Sequence, residues 1–217
     1  MTQNMRPPSP STLSTLFATL TRHPWHLHRT LKSDNPLELN GTLTGTASFT
    51  SLTPSTETDK PDTGPSFTFQ DRDIQYHEEG EMPTPPGVPG MVGLRFTKKY
   101  IWRMSEGGAM SVWFAKVGRE VEADYLFHEF VFGGSGEKGE NEGENGGGEG
   151  YVDAPDPPFV KGETEVLVAR GNHLCINDMY RTAYAFRVGG SGEVVSWASR
   201  HVVKGPKKNQ DIVNLYW

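Results

Sequence analysis

The fold is decided by an alternation of apolar and polar residues that is clearest at residues 25–31, WHLHRTL. Trp25, Leu27 and Arg29 fall on one face of a strand, because successive side chains of a β-strand point to opposite faces. The next segment, TLTGTASFTSL at 42–52, is rich in threonine and is also typical of a strand. Similar patterns predict further strands at residues 67–70, 74–81, 94–104, 110–117, 125–132, 165–174, 178–188, 194–203 and 211–217.

A short amphipathic helix is predicted before the first strand. Ser9 is a favourable N-cap, and Pro10 suits the first helical position, where its missing N–H costs nothing. Pro24 lies between the helix and the first strand. The apolar stripe of the helix is formed by Leu13, Leu16, Phe17 and Leu20. The polar, proline-rich residues 1–8 before it are predicted to be disordered.

Composition restricts the possible functions. The 217 residues include 25 glycines and 16 prolines, a proportion that favours short strands and turns over a helical bundle. The net charge of -6 argues against a nucleic-acid partner, which requires a basic surface. A single cysteine, Cys175, excludes an internal disulfide. Since no apolar run approaches ~18–20 residues, no membrane span is expected, and we expect a cytoplasmic protein.

One segment differs from the rest of the chain. Residues 133–150 contain nine glycines, five glutamates and one lysine. Such a composition buries too little apolar surface to offset the entropy of ordering, so we predict a disordered Gly/Glu-rich loop over residues 133–158. The remainder, residues 9–217, is predicted to form one domain, since single cores reach ~250 residues.

The number of predicted strands restricts the architecture of the sheet. About eight to ten antiparallel strands usually close into a barrel or split into a sandwich. We favour the closed barrel, because about eight strands enclose an interior that can hold one small ligand. The expected fold class is therefore mainly β, a closed antiparallel barrel with a short N-terminal helix.

Several short motifs resemble a known family. The run Pro24-Trp25-His26-Leu27-His28-Arg29 after a helix resembles the opening strand of lipocalin-like (calycin) barrels, although proline stands where lipocalins have a glycine before the tryptophan. Other pieces are similar to a poorly characterised lipocalin-like domain family of fungi and bacteria: Tyr76-x-Glu78-x-Gly80, Tyr100-x-Trp102, Phe127-His128, His173-x-Cys175-x-x-Asp178-x-Tyr180 and Val203-x-Gly205-Pro206-x-Lys208. The resemblance covers residues 13–217 without the insert, and implies a barrel with a pocket but no particular reaction.

Alternation also predicts which side chains line the interior. The candidate acid–base residues are His128, Glu78, His173 and Tyr180. The candidate substrate-binding residues are Trp25, Arg29, Tyr76, Tyr100, Trp102, Phe114, Phe130, Tyr184 and Trp197. In the segment YLFHEFVF at 125–132, either Leu126, His128 and Phe130 or Phe127, Glu129 and Val131 point inward, and the resemblance favours His128.

Each of these residues also has a purely structural explanation. Arg29 could clamp Trp25 and close one barrel end through a cation–π contact. Glu78 could pair with an inward cation, and His128 and His173 could be core histidines with satisfied hydrogen bonds. Asp178 is more typical of a turn cap than of an ionising catalytic group.

No metal or cofactor site is expected. His26 with His28, and His173 with Cys175, each supply two ligands on one strand face, whereas structural zinc requires four. No glycine-rich loop suited to phosphate is present, since the Gly/Glu run is acidic.

Three functions agree with such a barrel. The first is a cofactor-independent enzyme that catalyses a cyclisation, a cycloaddition of the Diels–Alder or hetero-Diels–Alder type, or an isomerisation or dehydration of a hydrophobic small molecule. The resemblance adds natural-product biosynthesis to this reading, and near-attack geometry in a dry cavity is its physical basis. The second is a carrier or sensor of a hydrophobic ligand, and the third an interaction module with a filled barrel. A monomer or a homodimer is expected.

Overall fold

The computed structural model describes residues 7–35, 38–52, 72–81, 95–133, 150–206 and 208–217. They form one helix, α1 (Pro10–Thr19), and eleven strands. The strands are β1 (Trp25–Ser33), β2 (Gly41–Leu52), β3 (Arg72–Glu81), β4 (Arg95–Met104), β5 (Met110–Lys116), β6 (Arg119–Glu129), β7 (Val131–Phe132), β8 (Thr164–Cys175), β9 (Asp178–Gly189), β10 (Val194–Lys204) and β11 (Asn209–Tyr216). The predicted strand at 67–70 and most of the predicted N-terminal tail lie outside the described residues.

The strands form a single antiparallel sheet in which consecutive strands pair, except β6 and β7, which lie at its two edges. Its order is β6-β5-β4-β3-β2-β1-β11-β10-β9-β8-β7. Only Phe130 separates β6 from β7, and β7 pairs with β8, so the two edges of the sheet meet and the barrel is nearly closed. The predicted fold class, mainly β with a barrel and a short N-terminal helix, is confirmed.

Helix α1 covers one end of the barrel, which we call the lid end. Ser9 caps the helix by accepting a hydrogen bond from the Thr12 N–H at 3.1 Å. The predicted apolar stripe is buried, and below it the Trp25 indole donates to the Leu20 carbonyl at 3.0 Å. None of the described helical segments is long and apolar enough to cross a membrane.

A bulge in β6 changes which side chains point inward. Val112 pairs with His128 while the next residue, Trp113, pairs with Leu126, so Phe127 is an extra residue in the ladder. Phe127 and His128 are therefore both buried, although they are adjacent in sequence. The predicted inward position of His128 is confirmed, whereas the simple alternation that would have turned Phe127 outward is wrong.

The described part of the predicted Gly/Glu-rich loop is anchored to the barrel. The Pro158 carbonyl accepts hydrogen bonds from Ser196 Oγ at 2.6 Å and Arg187 Nε at 3.2 Å, and the Pro157 carbonyl accepts from Arg187 Nη2. The prediction of disorder is therefore wrong for residues 157–158, because two strands supply donors that satisfy their carbonyl groups. Residues 134–149 lie outside the described residues.

Candidate functional site

A cavity of about 250 Å³ occupies the half of the barrel away from α1. This half ends at the turns that join β8 to β9 and β10 to β11, and we call that end the mouth end. Nine of the predicted site residues line the cavity: Arg29, Tyr76, Glu78, Tyr100, Trp102, Phe114, Tyr180, Tyr184 and Trp197. Since other buried side chains fill the lid half, the barrel is neither hollow throughout nor filled throughout.

A buried ion pair lies in the cavity wall. Arg29 Nη2 donates to Glu78 Oε2 at 2.6 Å, and Arg29 Nε donates to Asn214 Oδ1 at 2.5 Å. Burial opposes the charge on Arg29, but the Glu78 carboxylate raises its pKa, so the guanidinium stays protonated. The structural alternative of an Arg29 clamp on Trp25 is wrong, because Arg29 is tied to Glu78 and Asn214.

Two tyrosine hydroxyls extend this pair. The Tyr76 hydroxyl donates to Glu78 Oε2 at 2.5 Å and lies 3.0 Å from the Tyr216 hydroxyl. Burial, followed by the charge of Glu78, raises the pKa of both phenols well above the ordinary value. The same two causes raise the pKa of Tyr100 to about 12. All three phenols are therefore neutral near pH 7 and can donate protons or hydrogen bonds.

One oxygen of Glu78 remains available. Only 1% of the residue is exposed, and among the described residues its Oε1 has no hydrogen-bond partner. A buried carboxylate oxygen without a partner is costly unless water or a ligand satisfies it. This atom is the strongest local indication that the cavity takes a hydrogen-bond donor.

Lys98 brings a second positive charge into the cavity. It lies opposite Glu78 in the β3–β4 register and lines the same cavity. Its side chain is exposed to solvent on the cavity side, and it makes no ion pair within 4.0 Å to a described residue. Desolvation by the surrounding cavity wall, followed by the charge of Arg29, lowers the pKa of Lys98.

A polar chain continues onto β10. Asn214 Nδ2 donates to Ser199 Oγ at 2.9 Å, and His201 Nε2 lies 3.2 Å from the same oxygen. Burial, followed by the nearby His128, lowers the pKa of His201 well below its usual value, so this imidazole is neutral at physiological pH. The chain fixes the Asn214 amide that in turn holds Arg29.

The remaining wall is aromatic. Trp197 and Tyr216 stack in parallel with ring centroids 3.5 Å apart, and Trp102 meets Trp197 edge-on at 5.9 Å. Tyr100 stacks against Phe127 at 5.9 Å. Flat, interlocked rings of this kind give a rigid apolar surface that favours planar or compact hydrophobic ligands.

Four predicted site residues do not line the cavity. Trp25 and Phe130 lie in the lid-side core, since Trp25 bonds Leu20 and Phe130 packs on Trp102. His128 lies behind the wall, with Nε2 3.1 Å from the Tyr184 hydroxyl, and burial followed by His173 lowers its pKa to about 3. His173 packs against Phe127 and Tyr180, and burial lowers its pKa.

Tyr180 lies at the mouth end beside a second cation. Lys208 Nζ donates to the Tyr180 hydroxyl at 2.8 Å and pairs with Asp178 at 3.1 Å. These two hydrogen bonds raise the pKa of Lys208. Asp178 begins β9, immediately after the turn at Ile176–Asn177. Its ion pair with Lys208 balances the lysine charge at the mouth end.

Sequence reasoning missed several cavity residues. Lys98 has the same parity as Tyr100 and Trp102, so the alternation of β4 could have found it. Ser199 and His201 likewise share the parity of Trp197 on β10. The additional lining residues are Lys98, Val112, Phe127, Ser199, His201, Val203, Lys208, Gln210, Ile212, Asn214 and Tyr216.

Metal ligation is not supported by any cluster in the described part of the chain. No group of three or more His, Cys, Asp or Glu side chains there is arranged to hold a metal ion. Cys175 is a free thiol at the end of β8.

Comparison with known proteins places the chain in a family without assigning a reaction. A family described as a family of unknown function, DUF6314, matches residues 22–147 and 150–217. Because the match covers most of the chain, the protein belongs to this family. No curated protein and no solved structure matches the chain.

Proposed function

We propose that this member of the DUF6314 family is a cofactor-independent enzyme that binds a compact hydrophobic molecule in its barrel. The proposed reaction is a cyclisation, a cycloaddition or an isomerisation or dehydration, and the setting is natural-product biosynthesis in the cytoplasm, with the protein a monomer or homodimer. The supporting observation is a cavity of about 250 Å³ in which an aromatic wall meets a buried carboxylate with a free oxygen. The lipocalin-like resemblance of residues 24–29 supports the same proposal.

The size of the cavity defines the size of the ligand. It greatly exceeds the ~10–15 Å³ that one water requires, which argues against an interaction module with a filled barrel. It is also slightly below the ~300–1,000 Å³ of typical drug-sized sites. We therefore expect a ligand of about one or two rings rather than a long polyene.

The proposed chemistry uses groups that touch the cavity. Glu78 Oε1 has no partner among the described residues and would accept a proton or a hydrogen bond from the ligand. The neutral phenol of Tyr76 and the amine of Lys98 line the same cavity. An acid–base pair of this kind contributes roughly 10²–10⁴-fold to proton transfer. The predicted acid–base residues His128 and His173 do not line the cavity, and His128 would position the Tyr184 hydroxyl through its Nε2.

A carrier or sensor is the second candidate. One observation favours it: Arg29 and Tyr76 both donate to the same oxygen of Glu78, so the protein's own groups already engage this carboxyl group. In that case the polar groups would orient a ligand without transforming it.

One experiment separates these possibilities. Binding of compact aromatic and terpenoid enones is measured by quenching of tryptophan fluorescence, because Trp102 and Trp197 line the cavity. Each compound is then recovered and analysed by chromatography. For an enzyme we expect turnover that falls at least ~100-fold in Glu78→Gln. The matched control is Glu79→Gln, the next residue, whose side chain is exposed on the outer face.

Each result has a defined meaning. Bound ligand recovered unchanged would favour the carrier over the enzyme. Turnover unaffected by Glu78→Gln would show that Glu78 is not the proton acceptor, and failure of every compound to bind would reject both functions. Tyr76→Phe, which keeps the ring, serves as a second variant if Glu78→Gln does not fold.

A further inference from the structure

The charges that face the cavity do not balance. Arg29 and Glu78 form a closed pair, and Lys208 is balanced by Asp178 at the rim. Lys98 has no such partner within 4.0 Å among the described residues. The polar end of the cavity therefore carries one excess positive charge when Lys98 is protonated.

The neighbouring titratable groups do not supply the missing anion. Burial raises the pKa values of the phenols of Tyr76, Tyr100 and Tyr216, so these groups stay neutral near pH 7. His201, also in the wall, has a lowered pKa and is neutral as well. Counter-charge for Lys98 must therefore come from solvent or from a ligand.

Lys98 and Glu78, whose Oε1 has no partner among the described residues, are opposite each other in the β3–β4 pair. Glu78 and Lys98 are direct cross-strand neighbours, and such neighbours have Cβ atoms about 4.5–5.5 Å apart. Their charged ends nevertheless do not form an ion pair, since Glu78 is drawn to Arg29 and Tyr76 on its Oε2 side. A donor site on Lys98 and an acceptor site at Glu78 Oε1 are thus both left for a bound molecule.

We propose that the ligand of this cavity is a compact aromatic hydroxy acid whose acidic group pairs with Lys98 and whose hydroxyl donates to Glu78 Oε1. The proposal rests on the function proposed above and names its ligand class. The acid replaces the missing counter-charge, the hydroxyl satisfies the unpartnered buried oxygen, and the ring packs on the wall formed by Tyr100 and Trp102.

The test uses four probes that differ in one group at a time. They are 4-hydroxycinnamate, cinnamate, methyl 4-hydroxycinnamate and methyl cinnamate, and dissociation constants are measured by calorimetry at pH 7. In the wild-type protein we expect the free acid to bind at least ~10-fold more tightly than its methyl ester, because only the acid can form a charge-assisted bond to Lys98. The 4-hydroxyl should improve affinity several-fold.

Two lysine variants localise the effect. Lys98→Met should abolish the preference for acid over ester, while Lys99→Met should keep it, because Lys99 is paired with Glu120 on the outer face. Lys98→Arg retains the charge and should retain the preference, which also controls for loss of folding.

The outcomes distinguish the two proposals. If esters and acids bind equally, or if Lys98→Met keeps the preference, the ligand class is wrong while binding in the barrel stands. If cinnamate binds as tightly as 4-hydroxycinnamate, the role of Glu78 Oε1 is wrong. If none of the four probes binds, both the ligand class and the proposed compact aromatic occupant are overturned.

Discussion

His128 has 1% of its surface exposed, and among the described residues its Nδ1 has no hydrogen-bond partner. Its imidazole is held between aromatic rings, with centroids 5.6 Å from Tyr184 and 5.5 Å from Phe130. Protonation would place a charge in this apolar setting, which is why burial is the main cause of its lowered pKa. The residue therefore couples folding to pH.

We expect His128 to destabilise the protein in acid. Its pKa is about 3 in the folded chain against 6.5 unfolded, so the unfolded state binds more protons between these values. The contribution of neutral His128 to the free energy of unfolding is complete above pH 6.5. It is lost as the pH falls from 6.5 towards 3, by about 1.4 kcal/mol per pH unit. Urea unfolding at pH 7.5 and 5.5 should show a smaller loss in His128→Gln than in the wild type.

The control for this measurement is His26→Gln, since His26 is exposed on the outer face of β1. It should keep the wild-type dependence on pH. An unchanged dependence in His128→Gln would show that His128 is hydrated in the folded protein. His201, whose pKa is also lowered, should leave part of the dependence in either variant.

At the residue scale, the alternation of side chains along each strand allowed the sequence to predict which residues point into the barrel. Trp25, Leu27 and Arg29 are all buried, as the alternation of β1 indicates. The pairing of Arg29 with Glu78 could not be read in the same way, because it joins residues 49 positions apart and depends on the β1–β2–β3 register. Lys98 was missed because a lysine in an aromatic strand is normally expected at the surface.

At the scale of elements, the contact between β6 and β8 depends on one glycine. A Cβ at Gly171 would lie 2.7 Å from the Glu129 carbonyl oxygen and closer still to the His128 ring. The absence of a side chain thus lets the bulged strand approach β8 where the sheet edges meet. The bulge itself was not predicted, since an extra residue interrupts the parity from which strands are recognised.

Gly171→Ala should therefore weaken the barrel. We expect a loss of about 1–3 kcal/mol in the free energy of unfolding, the usual cost of overpacking, because the nearest atoms include rigid backbone. Chemical denaturation measures it. Gly190→Ala is the matched control, since a Cβ there would meet nothing within 4 Å. Equal stability of the two variants would mean that β6 moves freely relative to β8.

At the scale of the whole molecule, stability should be distributed unevenly around the barrel. Strand β10 is paired on both sides from Trp197 to Lys204, with β9 and β11. Strand β6 pairs with β5 through a ladder that is irregular at three places, and only the two-residue β7 continues the sheet to β8. Local opening is expected where few backbone bonds hold a strand.

Native-state hydrogen exchange tests this distribution. Amides of β6 should exchange through local opening at a lower free energy than those of β10, and a ligand in the cavity should slow the exchange near Phe127, which lines it. Uniform protection of β6 and β10 would indicate that the barrel opens only by global unfolding.

The overall architecture was the most predictable level. Periodic segments predicted most of the described strands to within two residues, and the N-cap at Ser9 with Pro10 predicted the start of α1. The strand predicted at 125–132 was wrong in its bounds, because β6 begins at Arg119 and a break at Phe130 separates it from β7. The number of strands and the division into a packed lid half and a cavity half were not predictable, because they depend on how side chains of distant strands fill one volume.

The pairing of β1 with β11 has a practical consequence. The Trp217 carbonyl accepts from the His26 N–H at 2.9 Å, and the Trp217 N–H donates to the His26 carbonyl at 3.3 Å, so the last residue lies beside the start of the first strand. Both α1 and Trp217 are therefore at the end of the barrel remote from the cavity. An affinity tag, a fluorophore or a sensor surface attached at Trp217 would leave the ligand-binding half facing the solution.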